Sequence, residues 1–156
     1  ELMKQDIFER TNAPSRAQRL IKPNDILFQM VRPYQQNNYF FEQEFDLPSV
    51  ASTGYAQIRT SQNPKFIYYA LHTGKVLRNV IAKCTGSSYP AINSTELKKV
   101  SIVIPSIAEQ NRVAEQLSAV DQKIKAERNY LAKLQDIKLG LMQDLLTNTV
   151  SVDVLL

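Results

Sequence analysis

Asn63-Pro64-Lys65-Phe66 comes close to the Asn/Asp-Pro-Pro-Tyr/Phe pattern with which adenine methyltransferases grip the amino group they modify. Lys65 stands where the second proline is needed, and four glycines in the whole chain cannot also supply a glycine-rich cofactor loop. The same residues make a good helix start, an asparagine cap followed by proline at the first helical position. Glu96-Leu97-Lys98 matches the Glu-x-Lys end of a nuclease site, but no acidic partner sits on a suitable preceding strand. His72 has no Ser, Cys or carboxylate at triad-like spacing and reads as a helix-surface or packing residue. Cys84 is the single cysteine, which excludes an internal disulfide and leaves no Cys/His zinc set to be built with His72. It reads as a small buried thiol suited to a reducing cytoplasm. No phosphate-cradling loop with its lysine occurs either. The residue types therefore provide no catalytic group, no metal ligand set and no cofactor site, and what remains is binding.

Two groups of residues have the chemistry for it. Arg16, Arg19, Lys22 and Arg32 form one basic group, with Tyr34, Gln35, Gln36, Asn37 and Asn38 close behind. Lys75, Arg78 and Lys83 form the other, followed by Thr85, Ser87, Ser88 and Tyr89. Arg and Lys suit phosphates and guanine edges, while Gln and Asn suit adenine edges. Each cluster alone also reads as a solvated surface; two of them flanking polar loops favour a nucleic-acid partner. The charge distribution agrees. Of the net +4, residues 1–106 hold thirteen Lys/Arg against eight Asp/Glu, whereas residues 107–147 hold six of each.

These groups sit in the first of two unlike halves. Residues 1–105 carry short runs rich in Val, Ile, Phe and Tyr at Asp25–Val31, Tyr39–Phe45, Gly54–Arg59 and Val100–Ile104, which predict strands. Asn63-Pro64 predicts a helix to about Ala82, interrupted at Gly74, and Ser94 predicts the cap of one short turn. Thr85–Pro90 has loop chemistry, in which Gly86, like Gly54 earlier, reads as a turn residue. From Ile107 to Leu146 there is no proline and one glycine. Ser106 and Glu109 form a capping box at the start. With Leu117 at heptad position a, the a and d positions include Val113, Leu117, Val120, Ile124, Leu131, Leu134, Leu141 and Leu145, with Gln110 at the first a position and polar defects at Glu127 and Lys138. About forty residues at roughly 1.5 Å each make a rod of roughly 60 Å. A single stripe that long must meet another helix, the alternative being a helix folded back on its own domain.

The expected fold class is therefore α+β, a small mixed recognition domain followed by a long α-helix that forms an antiparallel coiled coil. The expected boundaries are 1–105 for the domain, 106–147 for the helix and 148–156 for a tail. At 156 residues, 44% apolar and 22% charged, the chain suits one modest core with an extended element. No apolar run approaches the roughly eighteen residues of a membrane span. The opening ELMKQDIFER has neither an initiator Met nor a signal-peptide pattern.

Five blocks resemble, in order and spacing, the characteristic segments of type I restriction–modification specificity subunits. They are Asn24–Tyr34 (NDILFQMVRPY), Ala51–Arg59 (ASTGYAQIR), Thr85–Asn93 (TGSSYPAIN), Ile104–Ala114 (IPSIAEQNRVA) and Leu139–Thr147 (LGLMQDLLT), and together they span about residues 22–147. The resemblance implies a cytoplasmic, non-catalytic, DNA-binding subunit of a type I restriction endonuclease and adenine-specific methyltransferase complex. Members carry two target-recognition domains, each reading half of a bipartite site in the major groove. Each domain is followed by a long helix, and the two helices pair antiparallel to set the distance between half-sites. The subunit docks methyltransferase subunits, which use S-adenosylmethionine, and restriction subunits, which use ATP and Mg2+; this chain itself is expected to bind none of these. One domain and one helix, without the customary opening of a recognition domain and with an LLTN ending, read as the C-terminal half of such a subunit. On this reading Arg32, Tyr34, Lys83, Thr85, Ser87, Ser88 and Tyr89, with Arg16, Arg19 and Arg78, meet double-stranded DNA. The seam from Val113 to Leu145 pairs with the helix of the other half, or with a second copy. Two other readings stay open at this point, a coiled-coil adaptor that binds protein and not DNA, and a recognition module of a type IIB-like methyltransferase system.

Overall fold

A computed structural model describes residues 6–43, 45–147 and 149–151. The chain divides into two compact units, Glu1–Ala114 and Glu115–Leu156. In the first, β1 (Ala17–Leu20) pairs antiparallel with β4 (Val50–Ser52), while β2 (Ile26–Gln29) lies between β3 (Tyr39–Phe40) and β5 (Tyr55–Ile58), again antiparallel. β2 buries Ile26, Leu27 and Phe28 in succession, so both faces of this strand are covered. Two short helices, α1 (Pro64–Leu71) and α2 (Gly74–Ile81), supply the other side of the core. Ile67 with Leu71, and Val76 with Val80, are each one turn apart and so project from one helix face. They join Ile26, Phe28, Ala56 and Ile92 in a single cluster.

At the start of β2 a carboxylate is buried in the frame. Asp25 is fully enclosed and accepts hydrogen bonds from the Lys22 N–H (2.7 Å), Gln57 Nε2 (2.7 Å), Arg59 Nε (2.6 Å) and a terminal nitrogen of Arg59 (2.8 Å). Burial alone raises its pKa, but these donors and the Arg59 charge outweigh that and hold the carboxyl below its ordinary range. A depressed folded-state pKa means that the ion pair stabilises above the unfolded pKa of about 3.9 and is lost as pH falls through the lower folded value. Asp25→Asn is expected to cost about 2–3 kcal/mol at pH 7, with the gap to wild type narrowing below about pH 4. Urea melts at pH 7 and pH 3 check this; a variant as stable as wild type at pH 7 would show the pair to be idle.

The structure departs from the strand pattern in the sequence at several places. The run predicted at Tyr39–Phe45 is a strand only to Phe40; beyond it Phe41 is buried and still exchanges backbone hydrogen bonds with Asn24 and Asp25. Val100–Ile104 forms no strand: Val100 and Ile102 pack on the core without a ladder partner, and Val103 and Ile104 stay exposed. β1 and β4 were not legible, because neither carries a buried residue and both lack an apolar run. The Asn63 cap forms as expected, its Oδ1 accepting from the Phe66 N–H (2.9 Å). The break falls at His72–Thr73, so Gly74 opens α2 and does not close α1. The short turn α3 (Ser94–Leu97) is capped by Asn93 in place of Ser94. Of the capping box, the described bond is the long one from Glu109 N–H to Ser106 Oγ (3.4 Å).

The long helix α4 runs Ile107–Leu146, as the heptads require. Its first turns belong to the first unit, past the boundary expected at residue 105. Gln110, placed at a seam position by the heptad, is fully buried in that unit. Its amide donates to Gln62 Oε1 (2.8 Å) and the Pro105 carbonyl (2.9 Å), and its Oε1 accepts the Asn63 N–H (3.0 Å). The seam itself is uncovered. Val113, Leu117, Val120, Ile124, Leu131, Leu134 and Leu141 are 37–55% exposed, while Leu145 is half-buried. Two shallow apolar grooves run along it, one over Val120, Ile124 and Leu131 beside Glu127, the other over Leu134, Leu141 and Leu145 beside Lys138. Most of the tail expected at 148–156 lies outside the described residues. No helix among the described residues is long and apolar enough to cross a membrane.

Candidate nucleic-acid interface

The second polar loop is a closed and pinned structure. Thr85 and Ala91 exchange backbone hydrogen bonds, both 2.9 Å, across Gly86–Pro90. Gly86 has φ +88, a region favoured by glycine, and a Cβ there would stand 3.1 Å from the Tyr89 carbonyl oxygen. The loop is then fastened to the exit of β2: Arg32 N–H donates to Pro90 O (2.8 Å) and Ile92 N–H to Met30 O (3.0 Å). These bonds bring Arg32 against residues distant in sequence. Its guanidinium carbon lies 4.2 Å from the centroid of the Tyr89 ring, a cation–π contact. Thr85, Ser87, Ser88 and Tyr89 are all exposed, Tyr89 at 66%. Lys83, half-buried, leads into this loop from the end of α2.

On the other side of Arg32 stands a single 3-10 turn, Pro33–Gln35, bracketed by two residues in the left-handed region, Arg32 (φ 53) and Gln36 (φ 52). Such backbone is uncommon for residues with side chains and persists only where surroundings hold it. Here a polar network holds it. Gln29 donates to Gln35 Oε1 (3.0 Å) and accepts the Asn37 N–H (3.0 Å), and Asn38 Oδ1 accepts the Gln29 N–H (2.8 Å). Gln36 Nε2 donates to the His72 carbonyl (3.2 Å). His72 Nδ1 faces the Tyr68 carbonyl at 2.8 Å, so it carries the proton, and Nε2 accepts from the Asn38 amide (3.3 Å). The Gln35, Gln36 and Asn38 side chains, candidates for adenine edges in the sequence, are thus committed to the fold. His72 is a packing residue, its ring 4.6 Å from that of Tyr68. Pro33 is buried and Tyr34 is exposed at the centre of the turn.

The basic groups are rearranged relative to their order in sequence. Arg32 joins the second loop, whereas Arg19 lies on β1 opposite Ala51 and Arg16 stands in the turn just before β1. One tie remains: the Thr53 N–H donates to the Arg16 carbonyl (2.9 Å), and Gly54 O accepts from Met30 N–H (3.1 Å), two residues before Arg32. Arg78 is exposed on α2, which packs against the Pro33–Gln35 turn. The Glu-x-Lys match does not form a site, since Glu96 pairs with Lys99 and not Lys98. Cys84 is half-buried, its thiol pushed up by burial and directed at the Val80 carbonyl. The two groups missed by sequence reasoning are Gln110 and the Asp25–Arg59 pair. The available signal was a polar residue at an otherwise apolar position of a helix start or strand start.

Comparison with known proteins places this arrangement. The model of the type I restriction modification DNA specificity domain matches residues 9–136. The chain is 24% identical over 135 residues to the type I restriction enzyme HindI specificity subunit of Haemophilus influenzae, covering 83% of the chain and 29% of that protein. Among solved structures it resembles the HsdS subunit from Thermoanaerobacter tengcongensis, with 27% identity and a TM-score of 0.63 over 85% of this chain and 35% of that one. A chain solved in work on complex assembly and conformational transition of the type I R-M system gives 26% identity and a TM-score of 0.66, covering 91% of this chain and 37% of that one. The chain thus spans about a third of the length of the relatives it matches. With that match over most of its length and a small sheet region followed by a long helix as in those structures, the chain belongs to the type I restriction modification DNA specificity domain family.

Proposed function

We propose that this chain is one target-recognition half of a type I specificity subunit. It reads duplex DNA through the Thr85–Tyr89 loop and the residues beside it, and directs adenine methylation and restriction carried out by partner subunits. S-adenosylmethionine, ATP and Mg2+ then act in those partners. The observation that supports this reading above the others is an exposed hydroxyl-bearing loop closed on itself by two backbone hydrogen bonds and fastened to the exit of β2 by two more, at Met30 and Arg32, and by the Arg32–Tyr89 cation–π contact. Such a loop is preorganised, so little ordering entropy is spent when it meets a groove. Hydroxyls at Thr85, Ser87 and Ser88 can donate to or accept from base edges, and Arg32, Lys83 and Arg78 provide charge. Arg19 on β1 and Arg16 just before it extend that charge, and Tyr34 offers an exposed ring and hydroxyl at the turn. The seam of α4 pairs antiparallel with the corresponding helix of the remaining subunit, or with a second copy.

The test is binding to a pool of random duplexes, with the methyltransferase subunit present, followed by selection of the preferred sequence. Wild type is expected to favour the selected duplex and to bind both pools less tightly as salt rises. Ser87→Ala combined with Ser88→Ala should reduce the preference by about 30-fold or more, at about 1–3 kcal/mol for each of the two base contacts, while leaving the salt slope alone. Absence of salt-dependent DNA binding by wild type would sink the reading in favour of a protein-binding adaptor.

A further inference from the structure

Arg32 is held at three points, by its left-handed backbone, by its N–H bond to Pro90 and by the Tyr89 ring. Its side chain has no hydrogen bond or ion pair among the described residues, and its Nε is enclosed without a partner. With one face on a ring and Nε covered, the guanidinium can meet a ligand through its terminal amino groups, two donors in a fixed plane. At the far end of the same turn, Gln36 holds the carbonyl of His72 (3.2 Å), immediately before Thr73 and the start of α2. Arg78 reaches back to that place: one of its terminal nitrogens lies 3.5 Å from where a Cβ on Gly74 would stand. Arg32 thus opens the Pro33–Gln35 turn, and Arg78 stands on the helix that packs against it. The surrounding sequence does nothing to neutralise them, because residues 26–41 and 47–95 contain no Asp or Glu.

We propose that Arg32 and Arg78 are sequence-independent phosphate contacts, and that Tyr89 is a positioning residue that holds Arg32 for this contact and does not read a base. This rests on the DNA-binding reading above and divides its labour. A fixed fork with no ion-pair partner of its own suits a phosphate, which recurs along any duplex. The rotatable hydroxyls of Ser87 and Ser88 suit the edges that differ between bases.

The experiment uses the full chain with its methyltransferase partner, titrated with the selected and the random duplex over a range of salt. Arg32→Ala and Arg78→Ala are each expected to weaken both duplexes by the same factor, about five- to tenfold, and to lower the slope of log affinity against log salt by about one unit; the double variant should lower it by about two. Tyr89→Leu should weaken both duplexes equally, and Tyr89→Phe should restore wild-type binding because the ring is kept. Circular dichroism melts of each variant confirm the folded state. If Arg32→Ala or Arg78→Ala weakens the selected duplex alone, with the slope unchanged, that arginine reads a base and the proposal fails while DNA recognition stands. If Tyr89→Phe is as weak as Tyr89→Leu, the hydroxyl and not the ring matters, and the positioning role is wrong. If wild type shows no salt-dependent binding at all, the functional reading itself falls and this assignment with it.

Discussion

Gln110→Leu is expected to lower the stability of the first unit by about 3 kcal/mol, although leucine has nearly the volume of glutamine and is a better helix former. Gln110 is fully buried and serves three backbone or side-chain groups at once: the Asn63 N–H, Gln62 Oε1 and the Pro105 carbonyl. Leucine would leave all three without their partner. Each orphaned group costs about 1–3 kcal/mol when water cannot replace the partner, and these sites are only partly covered, which sets the estimate near the lower end of the sum. Against a total stability of about 5–15 kcal/mol this is a large fraction. At about 4–8 °C per kcal/mol for a unit of this size, the melting temperature should fall by about 10–20 °C. The effect reaches further than one bond, since the residues Gln110 ties together are the end of the chain before α4 and the cap of α1, and α1 carries Ile67 and Leu71 into the core. Gln62→Leu, which removes one of the three partners, should cost about a third as much. Thermal melts followed by circular dichroism decide the matter; a Gln110→Leu melt within a few degrees of wild type would mean that water or a neighbour replaces the amide.

How much of this was legible in the sequence depends on whether a feature is local. Asn63-Pro64 announced a helix start because a cap and its target lie three residues apart, and the structure forms that bond. The α4 heptads were legible for the same reason, since every residue of the stripe repeats at fixed spacing. Arg32 and Tyr89 were both marked as candidates, but their contact was not, because it is made by pairing of Val31 with Ala91, sixty residues away. That Gln35, Gln36 and Asn38 are committed to the fold was hidden for a similar reason. Their partners are Gln29 and His72, and nothing in the run of amides itself shows that they are satisfied. Val100–Ile104 has strand composition yet no strand, because a ladder needs a neighbouring edge, and composition cannot supply one. Gln110 is the instructive case. A heptad count treats it as a flaw in a seam, whereas its partners lie 47 and 48 positions upstream and make it a fastening point of the globular unit.

Leu117→Asp combined with Ile124→Asp is expected to abolish self-association of this chain while leaving the melt of the first unit unchanged. Both side chains are about two-fifths exposed on α4, in line with Val120, Leu131, Leu134 and Leu141. Burying one such side chain against a mate is worth about 1.5–3 kcal/mol. A carboxylate in its place also carries a desolvation cost, so each substitution should remove at least about 2 kcal/mol. In a two-fold symmetric pair each substitution occurs twice, and four altered positions sum to about 8 kcal/mol or more, a weakening of roughly 10^6-fold or beyond. Lys133→Asp, on the outer face of the same helix, changes charge without touching the seam and should leave association intact. Sedimentation at micromolar concentration separates the outcomes: a dimer for wild type and Lys133→Asp, a monomer for the double variant. A wild-type chain that is monomeric there would exclude a second copy as the mate and leave the rest of a longer subunit to cover the stripe. A two-fold pair also constrains the DNA, because two identical recognition units related by symmetry must select a palindromic site; the double variant, presenting one unit, should then bind each half of that site alone and lose dependence on the spacing between the halves.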